Sequence, residues 1–361
     1  MIQYKLFNPG PANTSDRVKN SVIECGDVCP REIETGDLMK EISERVKFLL
    51  TTNPDQFECA LFTTSGTGAI ESVISSLPLD ANVLNVINGS YGNRIADMLS
   101  VYKISHENVD FAEGEIDLSL VEDVLGAKQF THISFIHCET TTGIINDLRA
   151  ISKLAKKYNC KIIVDAMSSA FTYPIDMEKD GIEFLCCSSN KLVQGLPGIG
   201  IVLADKKEIS SCHNRTVYLD LKTQIEVFRK TNQMRFTPAV QILYSLREAL
   251  LELEEEGITN RYKRYEKLNN IIRENLESLG LKALIPKEKN SIVITSFIEP
   301  IGFDFYSFHG FLKSNGYVIY PGKIESNNTF RLSNIGELTE EDVYNFINSV
   351  KTYFNVRVIS Y

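Results

Sequence analysis

Ile162-Ile163-Val164-Asp165-Ala166-Met167-Ser168-Ser169 is an apolar run that ends in a carboxylate and then in small polar residues. Branched apolar residues with no polar alternation read as a strand buried on both faces, as in a parallel sheet covered by helices. The same pattern recurs outward from this stretch. Residues 83–87, 133–136, 184–187 and 199–203 read as further strands, with helical patterns at 69–76, 95–99 and 148–158. This alternation predicts an α/β fold, a mostly parallel sheet with helices on both faces.

From about residue 237 the rhythm changes. Val240, Leu243, Leu246, Leu250 and Leu253 recur at three or four, predicting a long helix over 237–256. Thr237 reads as its N-cap, Pro238 as its first residue and Gly257 as its stop. A second helix is expected over 259–279, ending at Gly280. Strands at 291–297, 317–320 and 329–332 and helices at 304–315 and 339–354 complete a smaller α+β C-terminal domain. The expected division is an N-terminal segment 1–14, a large domain 15–255 and a small domain 256–361.

Composition narrows the functions. The 361 residues are 43% hydrophobic and 24% charged, ordinary for a globular protein. The net charge of −9 gives no attraction to nucleic acid or to an anionic membrane. There is no apolar run of about 18 residues, so no membrane span is expected. Met1-Ile2-Gln3-Tyr4-Lys5 lacks the apolar core of a signal peptide, and a cytoplasmic location is expected. The eight cysteines, at 25, 29, 59, 138, 160, 186, 187 and 212, include no Cys-x-x-Cys pair. They read as reduced residues, mostly of the core, and no metal site is expected.

Three signals carry chemistry. Thr64-Ser65-Gly66-Thr67-Gly68-Ala69-Ile70-Glu71 opens a helix after a short apolar run. Small residues there leave backbone N–H groups free, and a helix start of this kind attracts phosphate, although an ordinary capped helix begins the same way. Asp165 stands at the carboxyl end of a buried strand, where open α/β sheets bind ligands and where turn caps also occur. Lys191, in Cys187-Ser188-Ser189-Asn190-Lys191, follows the next strand, 26 residues after Asp165. It is either a surface lysine or one whose amine is kept nucleophilic. As an ordered set, the three match the needs of pyridoxal phosphate: an anion cradle, a carboxylate for the ring nitrogen and a Schiff-base lysine. Tyr91, in Asn88-Gly89-Ser90-Tyr91-Gly92-Asn93-Arg94, is the candidate aromatic to stack on the ring.

The chain resembles the class V, fold-type I aminotransferases. The likeness runs essentially full length through Phe7-Asn8-Pro9-Gly10-Pro11, His137-Cys138-Glu139-Thr140-Thr141-Thr142-Gly143, Gln194-Gly195-Leu196-Pro197-Gly198, Val318-Ile319-Tyr320-Pro321-Gly322-Lys323 and Phe330-Arg331-Leu332-Ser333-Asn334. The Glu-Thr-Thr-Thr-Gly, Asp-Ala-Met-Ser-Ser and Tyr-Pro-Gly-Lys stretches are similar to the phosphonate branch. The resemblance implies a homodimer that transfers the amino group of 2-aminoethylphosphonate to pyruvate, giving phosphonoacetaldehyde and L-alanine. The alternative is another class V aminotransferase acting on alanine, serine or glyoxylate. By the same resemblance Lys191 carries the cofactor and shuttles protons, Asp165 pairs with the ring nitrogen, and Tyr91 stacks. Ser65, Gly66 and Thr67, with Ser188 or Ser189, hold the phosphate, and Thr142 lies near the ring hydroxyl. The family's active site lies between subunits, so Thr237 becomes a phosphate contact from the partner chain. Arg331 would grip the phosphonate of one substrate and the carboxylate of the other, since a guanidinium forks onto either. Arg31 reads as a second anion-binding group or as one arm of a surface ion pair.

Overall fold

Seven strands form the central sheet, in the spatial order Phe57–Thr63, Ile199–Asp205, Phe184–Ser188, Lys161–Asp165, His132–Ile136, Asn82–Ile87 and Ser105–Asp110. The computed structural model describes residues 4–322 and 328–354; residues 1–3, residues 323–327 (with Lys323 of the quoted Tyr-Pro-Gly-Lys stretch) and residues 355–361 lie outside the described part. Every pairing is parallel except the two made by Ile199–Asp205, which runs antiparallel to both neighbours. The cause is chain length. Only residues 189–198 separate it from Phe184–Ser188, fewer than the dozen or so that a parallel crossover needs.

Side chains alternate between two apolar layers. Ile162 and Val164 pack on one face with Leu185, Cys187, Ile201 and Leu203, under the helices Ile33–Leu50, Leu148–Lys157 and Val240–Glu256. Ile163, Phe184, Cys186 and Val202 point to the other face, under Gly66–Ser75 and Ser90–Val101. This two-period placement, apolar on both sides, is why the strands show no polar alternation in the sequence. Ser105–Asp110 has no such signature. It is a sheet edge whose only buried residue is Val109, so its polar composition hid it from the sequence reading.

The long helices Val240–Glu256 and Ile258–Ser278 meet at Gly257, whose φ of +80° is in the region that favours glycine. We propose the division at residue 255/256, beside this break, as the boundary between a large and a small domain. Beyond it, Ile294–Ile298, Thr329–Ser333 and Tyr320–Pro321 form an antiparallel sheet packed with helices Phe305–Ser314 and Glu340–Phe354. The strand expected over 317–320 is two short ones, because Tyr317–Val318 pairs instead with Lys5–Leu6. Phe7, stacked on Phe346 at 4.0 Å, is buried in this C-terminal core.

Thr237 is not the cap of the long helix. The helix begins at Val240, with Ala239 in the capping position, and Thr237 is exposed. The Ala239 N–H donates to the Thr63 hydroxyl at 3.0 Å. A side chain from the first strand of the large sheet thus takes the donor that a local cap would otherwise serve. No described helix is long and apolar enough to cross a membrane.

Candidate active site

The carboxyl ends of the parallel strands bring the candidate residues to one edge of the sheet, as expected for an open α/β fold. Ser65 follows Phe57–Thr63, Tyr91 follows Asn82–Ile87, and Cys138 and Thr140 follow His132–Ile136. Asp165 and Ser188 end their own strands, with Lys191 three residues beyond. Together they line a cavity of about 470 Å³.

Asp165 forms the floor. It is 7% exposed, and its carboxylate accepts the Met167 N–H at 2.9 Å. Burial pushes its carboxyl up to about 6, against the opposing pull of Lys191 and Arg94. Burial likewise lowers the Lys191 ammonium from its ordinary value, reinforced by Arg331 and opposed by Tyr91 and Asp165. A larger fraction of its amine is therefore uncharged near neutral pH than for a lysine in water.

The lysine is held from two directions. Its Nζ donates to the Pro9 carbonyl at 2.5 Å, and Ala12 N–H reaches the Asn190 carbonyl at 3.0 Å. Residues 7–13 therefore tie the C-terminal core to the lysine loop. Beneath that loop the buried Arg261 donates to the carbonyl of Leu192 at 3.0 Å and pairs with Glu256 at 2.7 Å. Gly10 has φ +137°, and a Cβ built on it would lie 2.4 Å from Lys191 Nζ. Gly10→Ala is thus expected to displace the amine as well as strain the turn. A reductive-labelling rate of Lys191 lowered by at least about 10-fold, with the fold intact by circular dichroism, is the predicted outcome.

The phosphate-type cradle has a specific local cause. Ser65 occupies the cap of helix Gly66–Ser75 but its side chain caps nothing, and the first turn carries no acidic residue. Ser15, Asp117, Asp147, Asp205, Asp220 and Asp304 all accept first-turn N–H groups at their helices. A Cβ at Gly66 would meet Met167 Sδ at 2.5 Å, so a larger residue here would have to push the Met167 side chain away from the Asp165 loop.

Tyr91 sits in the first turn of helix Ser90–Val101 and not in a loop. Its N–H donates to Glu139 at 3.3 Å, and Glu139 also accepts the N–H and hydroxyl of Thr141. Burial raises the Glu139 carboxyl to about 7. Arg331 is 1% exposed and donates to the carbonyls of Pro321 at 3.0 Å and Thr140 at 3.2 Å. The side chain of Tyr91 lies beside it, and burial lowers its pKa from the ordinary value. Among the described residues it has no carboxylate within ion-pair distance, and it lies outside the cavity lining, behind Tyr91 and the Thr140 turn that both line it.

Some expected residues sit elsewhere. Thr142 is buried and outside the cavity lining, its hydroxyl facing its own turn at Glu139 O and Ile144 N. Ser189 donates to Leu196 O at 2.6 Å and accepts from Ile199 N, fastening the loop, while Ser188 lines the cavity. Thr237 lies on the surface outside that lining. Among the described residues Arg31 makes no ion pair: its guanidinium donates to the carbonyls of Met234 at 2.8 Å and Arg235 at 3.2 Å, and it does not line the cavity. Its place beside the segment leading to Thr237 explains this, since those carbonyls belong to no helix or strand. Of the cysteines, only Cys138 lines the cavity, and burial pushes its thiol up to about 12, which leaves it unreactive. Six of the eight cysteines are buried, whereas Cys29 is exposed and Cys25 half-buried.

Arg94, Thr140, Ser168 and Asn190 line the cavity without having been singled out from the sequence. Arg94 was legible in principle, because it lies three residues after Tyr91 and so shares its helix face.

The family model described as aminotransferase class-V matches residues 15–346. The chain is 38% identical to a 2-aminoethylphosphonate–pyruvate transaminase of Bacillus mycoides (strain KBAB4), over 96% of this chain and 97% of that protein. It is 39% identical to a bifunctional phosphonoacetaldehyde hydrolase/aminoethylphosphonate transaminase of Clostridioides difficile (strain 630), over 98% of this chain. The chain spans 56% of that longer relative. Among solved structures, pyridoxamine–pyruvate aminotransferase from Mesorhizobium loti superposes with a TM-score of 0.90 at 19% identity, covering 99% of this chain and 94% of that one. That likeness shows the fold, which is the fold-type I aminotransferase architecture. With a family match along most of its length and a relative of 38% identity matched nearly end to end, the chain belongs to the class-V aminotransferases.

Proposed function

We propose that this chain is a pyridoxal-phosphate-dependent transaminase that moves the amino group of 2-aminoethylphosphonate to pyruvate, giving phosphonoacetaldehyde and L-alanine in phosphonate metabolism. The observation that carries the substrate is the end-to-end likeness to a relative named for this reaction. Support for the cofactor comes from the donor set itself: an uncapped helix start, a buried strand-end carboxylate and a depressed lysine around one cavity. We further propose a cytoplasmic homodimer in which the exposed Thr237 completes the neighbouring protomer's phosphate site.

When bound, pyridoxal phosphate supplies an electron sink that acidifies the hydrogens on the carbon bearing the amino group. Lys191 would hold the cofactor, then remove a proton from the substrate carbon and return it on the cofactor side. Its burial lowers the ammonium from its ordinary value, so more of the amine is available as a base than in water. Asp165 would retain the proton of the ring nitrogen by opposite charge. Tyr91 would cover the ring, and Ser65, Gly66, Thr67 and Ser188 would bind the phosphate. Thr142 and Ser189, set back from the cavity, would support the ring-hydroxyl and phosphate sides from behind.

Arg331 would accept either substrate's anion, since both must use one site in turn. Arg331→Lys is expected to lower kcat/KM for 2-aminoethylphosphonate and for pyruvate together, each by about 10- to 100-fold, because one ammonium cannot reproduce the paired hydrogen bonds. Initial rates measured with both substrates varied should give parallel double-reciprocal lines. Convergent lines, or a loss confined to one substrate in the variant, would contradict the shared-site mechanism.

A further inference from the structure

We infer that Arg94 is a cofactor-phosphate ligand, which makes the site selective for the phosphorylated form of pyridoxal. The inference rests on the cofactor proposed above.

Three observations converge on it. Arg94 lines the cavity together with Ser65, Gly66 and Thr67. Its Nη1 donates to the Thr67 hydroxyl at 2.9 Å, and its guanidinium lies over the Tyr91 ring, 4.9 Å from the centroid. Among the described residues, no carboxylate lies within ion-pair distance of it. A guanidinium in a partly enclosed site, with no carboxylate in ion-pair contact, is placed to receive an anion that arrives from solution.

The surrounding groups say which anion. The helix start at Ser65 contributes N–H donors and only about half a positive charge, too little for a phosphate dianion. Asp165, in the same cavity, adds a negative charge, and Lys191 would be bound to the cofactor and lose its charge as a phosphate partner. Among the described lining residues Arg94 is the remaining cation. Its bond to Thr67 also sets a direction. A hydroxyl that accepts from Arg94 keeps its own O–H free to donate, so Thr67 would present a donor to a phosphate oxygen. Arg94 spends one N–H on Thr67 and lies over Tyr91, so among the described residues its other N–H groups remain for a phosphate oxygen.

The test compares pyridoxal phosphate with pyridoxal, which lacks only the phosphate, by absorbance titration of the cofactor-free protein. In Arg94→Met, affinity for pyridoxal phosphate is expected to fall about 10- to 100-fold while affinity for pyridoxal changes by less than about 2-fold. Arg94→Lys should fall between, and it carries the test if Arg94→Met does not fold. Equal losses for both ligands would overturn the inference, because Arg94 would then act only through Tyr91 or the fold. So would an unchanged affinity for both, or a loss seen only in KM for 2-aminoethylphosphonate. If the unaltered protein binds neither ligand, the proposed cofactor itself is wrong. If it binds pyridoxal phosphate and the variants match it, only the role of Arg94 is wrong.

Discussion

Lys191→Ala should abolish transamination, with turnover lowered by at least about 10⁴-fold, since a positioned proton-transfer group alone is worth 10²- to 10⁴-fold and this one also holds the cofactor. The reasoning starts from geometry. Among the described residues the amine has one hydrogen-bond partner, the Pro9 carbonyl, and the loop that carries it is clamped by the buried Arg261. No other lysine among the described residues lines the cavity. Pyridoxal phosphate should still associate with the variant through the cradle, but borohydride should no longer fix it to the protein. Measured turnover within about 10-fold of the unaltered protein would remove Lys191 from the proton-transfer role.

Asp165→Asn should lower kcat by about 10²- to 10³-fold, the scale of removing one partner from a buried charge pair. Its pH dependence is the sharper readout. In the free protein the buried carboxyl titrates at about 6. A protonated ring nitrogen beside it would favour the carboxylate, so below that pH Asp165 must give up a proton on binding. That cost disappears above it. The ratio of pyridoxal phosphate affinities, unaltered protein over Asp165→Asn, should therefore rise between about pH 5 and 7 and then level off. A ratio independent of pH would mean that Asp165 does not face the ring nitrogen.

The core of the sheet was legible because burial on both faces leaves a compositional mark. Residues such as Ile162, Ile163 and Val164 can sit in few other places. The edge strand Ser105–Asp110 was not, since an exposed edge imposes no apolar pattern. The reversal of Ile199–Asp205 was recoverable only from counting the short connection before it.

The site divided in the same way. Ser65, Asp165 and Lys191 were legible because each stands at a strand end or helix start, where local sequence sets position. Thr237 was misread as the helix cap because the Ala239 N–H finds the hydroxyl of Thr63, far away in the chain, and the partners of Arg31, the Met234 and Arg235 carbonyls, are equally distant in sequence. Glu139 appeared within a quoted motif without a role. Its importance lies in joining the Tyr91 N–H to the turn whose Thr140 carbonyl receives Arg331, a relation only the folded chain reveals.

The most direct measurement is a half-reaction followed in the visible spectrum. Protein loaded with pyridoxal phosphate is mixed with 2-aminoethylphosphonate alone, then with pyruvate, and L-alanine is assayed. The proposed function predicts loss of the bound-cofactor band on the first addition, its return on the second, and one L-alanine formed per site. A band that ignores 2-aminoethylphosphonate but responds to alanine or serine would contradict the phosphonate assignment while leaving the cofactor and the fold in place.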